Sequence, residues 1–332
     1  MLFQNIQEVK THVGGGVNAS MELTVFRAAY RQARRQHLER YLSAAFLDEL
    51  EAAAAATPSE TQLKAIAWVG EPLALLMVYE YTFTSSVQMG GEGLTRPVGE
   101  NVEGAYKYQV KDYRDWSISA GLTALDQCLV QLEANAADYA TWATGPGAAY
   151  HRSLLIRTTD EMRMVHSKVI DRRAYEALRP LLADVQLFVA ESILGPVQMA
   201  ELLDAITSDT YTEYQRELIT RLRRSLAGYV VSEAVTRNLL QLKGNRLVQT
   251  EALEPQSVQR EGTPGMNAIN LVAMQTRDFA ARHLTHVKEY LAENADQFPA
   301  YQAYQASRVP DPDEDYPNAI PNRRRGGKVT RL

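Results

Sequence analysis

The sequence predicts an all-α protein, built from two tandem homologous helical-bundle modules and an extended C-terminal arm, and three observations carry that expectation. Apolar residues recur at three- and four-residue spacing over long stretches rich in Ala, Leu, Glu, Gln and Arg, the period and composition of amphipathic helices. A 38-residue stretch returns in fixed register 153 residues later. From Ser307 onward the text turns Pro-rich and acidic, then basic.

The first helical stretch is expected over residues 21–56, with Phe26, Tyr30, Leu38, Leu42, Phe46 and Leu50 on its apolar face. The Gly-rich approach at 14–20 offers Asn18 or Ser20 as N-cap. A second helix opens with TPSE at 57–60, where Thr57 can cap, Pro58 sits at the tolerant first position and Glu60 closes a capping box. It runs to about Met89, where GGEG at 90–93 stops it. A third helix spans about 102–138, ahead of the breaker TGPG at 144–147. The order then repeats: a helix over 172–205 interrupted at Gly195-Pro196, another over 210–243, a loop containing TPG at 263–265, and a last helix over 267–294. The modules are therefore placed at 1–145 and 155–306, with the arm at 307–332.

Register is a stricter test of duplication than helix order. Between residues 57–94 and 210–247, eleven of 38 ungapped positions are identical, among them Glu60/Glu213, Gln62/Gln215, Glu80/Glu233 and Gly91/Gly244. Unrelated sequences share about two at ordinary residue usage. A shift of 152 pairs Leu42, Glu49, Leu50 and Ala53 with Leu194, Glu201, Leu202 and Ala205. A shift of 159 lays LEANAADYATW, from Leu132, on LAENADQFPAY, from Leu291. The six extra residues of the second copy then fall in the loop at 251–265. The two copies are related either by a pseudo-twofold or by a translation, with a seam near 143–157.

Chemistry is sparse beside this architecture. A single cysteine excludes an intramolecular disulfide and a four-cysteine zinc site. Cys128 sits on an apolar helix face and reads as core. The opening MLFQNIQEVK has no basic stretch followed by a long apolar one, so a standard secretion signal is not expected. The most apolar run, 73–79, is far shorter than the roughly 20 residues of a membrane span. A net charge of −5 argues against a body that coats nucleic acid. His283, His286 and Glu289 share one helical face, but Ala124, Gln127 and Val130 stand at those places in the first copy, so the set reads as a solvated face. GGG at 14–16 lacks the Lys-Ser/Thr of a phosphate loop. Glu80 and Glu233 read as solvated helix positions, with a buried ion-pair partner or a place at an interface as the alternatives. The aromatic set Tyr79, Tyr81, Phe83, Tyr106, Tyr108, Tyr113 and Trp116 reads as core packing, and otherwise as a subunit interface. No catalytic residue, cofactor or metal is expected.

The arm supplies the candidate partner-binding residues: acidic Asp311, Asp313 and Asp315, then Tyr316, then Arg323, Arg324, Arg325, Lys328 and Arg331. Such an arm suits a protein groove or an acidic patch on a neighbouring subunit, with incidental contact to DNA as a lesser option.

Three stretches, FRAAYRQARRQHLERYLSAAFLDEL, SVQMGGEGLTRPVGENVEGAYKYQVKDYRDWSISAGLTALDQCLVQLEANAADYATW and RRAYEALRPLLADVQLFVAESILGPVQMAELLDA, together resemble an uncharacterised family of structural proteins from tailed phages of Bacteroidetes. The resemblance implies a non-catalytic virion component of the neck, a head-to-tail connector that forms a homo-oligomeric ring and meets the portal, the tail or other neck proteins. It does not extend to the Pro-rich basic tail. The alternative expectation is a cytoplasmic helical-repeat adaptor that binds a partner protein between its two copies.

Overall fold

The computed structural model describes residues 1–14, 21–85, 88–90, 93–95, 107–165, 172–237, 240–243, 246–249 and 266–308. In chain order it forms α1 (Ile6–Val13), α2 (Arg27–Ala33), α3 (Glu39–Leu42), α4 (Ala44–Ala55), α5 (Glu60–Ser85), the hairpin β1 (Gln88–Gly90) and β2 (Gly93–Thr95), α6 (Lys107–Ala134), α7 (Ala140–Ala143) and α8 (Pro146–Arg152). The second half forms α9 (Thr159–Val165), α10 (Arg172–Val185), α11 (Ser192–Leu194), α12 (Pro196–Ser208), α13 (Glu213–Thr236), the hairpin β3 (Leu240–Lys243) and β4 (Arg246–Gln249), α14 (Met266–Glu293) and α15 (Pro299–Ser307). The protein is all-α with two tandem homologous modules, each decorated by one small hairpin. One core runs from Leu2 to Ala148 and a separate one from Leu154 to Phe298. In each, the two longest helices pack along each other, α5 on α6 and α13 on α14.

The copies agree in detail that composition alone does not demand. Ser59 and Gln62 exchange hydrogen bonds at the start of α5: the Ser59 N–H donates to Gln62 Oε1 at 2.9 Å and the Gln62 N–H to Ser59 Oγ at 3.2 Å. Thr212 and Gln215, 153 residues on, form the same capping box at 3.0 and 3.2 Å. The box is thus closed by Ser59 and Gln62, two residues later than the expected Thr57 and Glu60; Glu60 instead pairs with Lys64. Replacing Ser59 or Thr212 by Ala is expected to lower stability by about 1 kcal/mol each, additively, in urea unfolding.

A π turn occurs at Arg34–Leu38 and again at Gln186–Glu191, and each is followed by a residue with positive φ: Ser43 (65°) and Gly195 (81°), 152 apart. The expected single helix over 21–56 is therefore broken at Ser43 as its twin is broken at Gly195. Its N-cap candidates Asn18 and Ser20 lie outside the described residues, and the segment enters through a tight 3-10 turn, Leu23–Phe26. Where the sequence predicts helix to Met89 and to Lys243, the chain instead turns into hairpins, with Gly90 opposite Gly93 and Lys243 opposite Arg246. After the third long helix of each copy, Asn135 and Asn294 lead 3-10 turns with φ of −122° and −121°, and each side chain donates to a carbonyl four residues back. The loop at 251–265, assigned the six extra residues, lies outside the described residues.

Close helix approach is achieved differently in each copy. A Cβ on Gly228 of α13 would fall 2.8 Å from Ala280 Cβ on α14, whereas in the first copy the glycine is on the other helix, Gly121 of α6, where a Cβ would fall 2.8 Å from Leu76 Cγ.

Candidate functional site at the module seam

Helix α10 of the second module lies against α6 of the first. On α6, Ile118, Leu122, Asp126 and Leu129 are buried, with an i, i+4, i+8, i+11 spacing that places them on one face, and Asp126 meets Arg172 of α10. The counterparts 159 residues on, Arg277, Ala281, Thr285 and Lys288, are all exposed. Ile193, counterpart of Tyr41, is covered within its own module, its carbonyl accepting from Gln305 Nε2 at 2.8 Å. The seam is one-way, and a pseudo-twofold pairing of equivalent surfaces is not what joins the modules.

Four arginines enter this seam. Arg172, 1% exposed, pairs through Nη1 with Asp126 and through Nε with Glu176 at 2.7 Å, and its guanidinium lies over the rings of Tyr41 and Tyr175, 4.8 Å from each centroid. Burial works against its charge, but Glu176 and Asp126 more than offset this and hold it protonated. Glu176 also accepts the Tyr41 hydroxyl at 2.6 Å, tying α3 of module one to α10 of module two. Burial pushes the Tyr41 phenol up, so it is a donor at all ordinary pH. The Tyr41 carbonyl accepts from Trp142 Nε1 at 3.0 Å. Arg179 stacks over the Tyr150 ring at 4.0 Å and donates to the Tyr150 carbonyl and to the Tyr175 hydroxyl. Arg152 grips Glu133 with Nε and Nη2, both at 2.9 Å. Arg157 satisfies the carbonyls of Leu154, Arg152 and Leu203 and the Thr207 hydroxyl, pinning the linker to α12.

His151 stands among these cations, 2% exposed. Burial first, then Arg172, Arg157, Arg179 and Arg152, push its pKa well below the ordinary 6.5, so the folded chain holds it neutral. Below about pH 6.5 the unfolded chain takes up a proton that the folded chain refuses, so stability must fall as pH falls, at up to about 1.4 kcal/mol per pH unit. Urea unfolding at pH 7.5 and pH 5 is expected to differ by about 2 kcal/mol from this residue, and His151→Gln to narrow the gap. An unchanged gap in the variant would contradict this.

The arrangement can bury charge, fix an inter-module geometry and respond to acid. Its chemistry is that of a clamp.

The arm candidates Asp311, Asp313, Asp315, Tyr316, Arg323, Arg324, Arg325, Lys328 and Arg331 all lie outside the described residues. Glu80 departs from the solvated reading: it is buried and meets His37 Nε2 at 2.9 Å, while Glu233 is half-buried beside Arg237 at 3.3 Å. The aromatic set divides: Tyr79 and Tyr81 pack on the core, Tyr113 stacks on Trp116 at 5.6 Å, and Trp116 and Tyr108 are exposed. The side chains of Phe83 and Tyr106 lie outside the described residues. Cys128 is buried, and burial pushes its thiol up. His286 pairs with Glu289 at 3.0 Å on an exposed face, and among the described residues no group of three potential metal ligands gathers. No single described helix is long and apolar enough to cross a membrane.

Searches of curated proteins and of solved structures find no match. One family model matches the chain twice, over residues 38–152 and 189–310, one match in each module, and α10 falls between the two matches. The chain belongs to that family, described as a family of unknown function (DUF6712).

Proposed function

We propose that this chain is a structural component of a tailed-phage virion, a non-catalytic head-to-tail connector that assembles as a ring between portal and tail. The observation that carries the reading is what the duplication has kept and what it has released. Both copies keep the capping box, the π turn, the positive-φ break, the hairpin and the Asn-led turn. The exposed surface has diverged: Leu187, Phe188 and Val197 stand where the first copy has Arg35, Gln36 and Ala45. Conserved scaffold with divergent surfaces suits a protein that meets different neighbours through its two halves. The Arg172 clamp supports this by holding those halves in one geometry, and the resemblance to phage structural proteins supplies the setting.

Quantitative mass spectrometry of purified particles from the source, scaled to the major capsid protein, tests the reading. About a dozen copies per particle is the expected result for a cyclic assembly at one vertex. Hundreds of copies would move the chain to shell or tube, and absence from particles would leave the adaptor alternative.

A further inference from the structure

The second module carries a face whose chemistry departs from its twin at matching exposed positions. Residues 180–215 contain six acidic residues and no lysine or arginine, while the corresponding stretch 28–62 contains Arg31, Arg34, Arg35 and Arg40. On this stretch Leu187 is 52% exposed, Phe188 74% and Val197 62%. The π turn Gln186–Glu191 packs against α12, so these side chains share a neighbourhood with the exposed Asp184, Glu201 and Asp204. Large apolar groups standing among carboxylates mark a docking surface for a basic partner.

The chain itself contains a matching sequence. Residues 323–331 carry Arg323, Arg324, Arg325, Lys328 and Arg331, and no acid follows Asp315. The described chain ends beside this same face: Tyr304 packs on Gly195 and its hydroxyl donates to the Ser192 carbonyl at 3.3 Å. Between Arg308 and Arg323 stand four prolines, Pro310, Pro312, Pro317 and Pro321. A Pro-rich spacer of that length can reach up to about 45 Å, enough to span to a neighbouring copy. We propose that the acidic, apolar face around Phe188 and Val197 receives the basic C-terminal segment, residues 323–331, of a neighbouring copy of this chain. The inference rests on the ring reading and names the contact that links its subunits.

Sedimentation velocity of the full-length chain across concentration and salt tests it. Reversing the segment (Arg323→Glu, Arg324→Glu and Arg325→Glu together) or the face (Asp184→Lys, Glu201→Lys and Asp204→Lys together) is expected to weaken self-association about tenfold or more, and combining the two sets to restore most of it. Phe188→Ser is expected to weaken association while leaving its salt dependence in place. Unchanged association in either charge variant, or no recovery on combining them, overturns the proposal. So does a chain that stays monomeric while residues 186–201 are protected from hydrogen exchange at every concentration, because the segment then docks within its own chain. Failure of the ring reading looks different: the charge swap would behave as expected, but the chain would be absent from particles. If instead the face variant enters particles at the normal copy number and associates normally, the docking contact fails and the ring reading stands.

Discussion

Replacing Arg172 by alanine is expected to destabilise the folded chain by about 3–5 kcal/mol, a large share of the whole stability of an ordinary domain. The guanidinium sits at the centre of the seam, paired with Asp126 from α6 and Glu176 on its own helix, with aromatic rings of Tyr41 and Tyr175 against it. Its removal leaves the Asp126 carboxylate, 6% exposed, without its cation in the space between two modules. A buried charge that loses its partner costs more than the pair contributed, because its desolvation is no longer offset. The double substitution Arg172→Met with Asp126→Leu removes the buried Arg172–Asp126 pair and leaves Glu176 to Arg40, 3.5 Å away, so it is expected to cost less than either single change. Urea unfolding of the three variants measures this directly. A single variant within about 0.5 kcal/mol of the parent, the range of an ordinary surface change, would mean that the seam is solvated.

The second large effect is expected at Gly195, where alanine should cost about 3 kcal/mol or more. Two causes add. The residue has φ +81° and ψ 158°, a conformation that L side chains rarely adopt. A Cβ there would also fall 2.5 Å from Tyr304 Cγ, so α15 would have to lift from the bend between α11 and α12. The twin position makes the opposite prediction. Ser43 holds φ +65° and ψ 152°, facing Gly145 at the place where the second copy has Tyr304. Its Oγ accepts the Phe46 N–H at 3.4 Å, a long bond. Ser43→Gly relieves strain of roughly 1–3 kcal/mol and loses a cap that glycine replaces at a cost of a few tenths. Against that stands about 0.5–1 kcal/mol of added chain entropy in the unfolded state, so a gain of about 1 kcal/mol is expected. Thermal unfolding of the two variants should shift in opposite directions.

Much of the fold is legible in the sequence because helix starts, breaks and apolar periods are local properties. The three shifts of 152, 153 and 159 track the π turn and positive-φ break, the capping box and the Asn-led turn respectively. The hairpins are not legible because QMGGEGLT has no alternation of apolar and polar residues and its glycines serve a helix stop equally well. A usable sequence signal is Gly-X in both copies, Gly91-Glu92 and Gly244-Asn245, since glycine first is a pattern of two-residue hairpin links. The break at Ser43 has no local signal, since only its glycine twin advertises the backbone conformation. The seam is illegible for a different reason: Arg172 and Asp126 are 46 residues apart, and each looks like a solvated helix charge until the helices are placed. One trace of it is present. Asp126 stands in the stripe Ile118, Leu122, Leu129, where its own copy is apolar and the second copy has Arg277, Ala281 and Lys288. A stripe of large apolar residues in one copy, answered by Arg, Ala and Lys in the other, marks a face buried in the first copy and open in the second.

That asymmetry is the centre of the account, and hydroxyl-radical footprinting of the full-length chain with residue-level mass spectrometry tests it most directly. The one-way seam predicts that Tyr41, whose ring lies under the Arg172 guanidinium and whose hydroxyl donates to Glu176, is protected and gains reactivity in Arg172→Ala, while Leu187 and Phe188 are modified readily in both chains. Ready oxidation of Tyr41 in the parent chain, or no change in it on removing Arg172, would mean that α10 does not cover the first module there, and would contradict the seam.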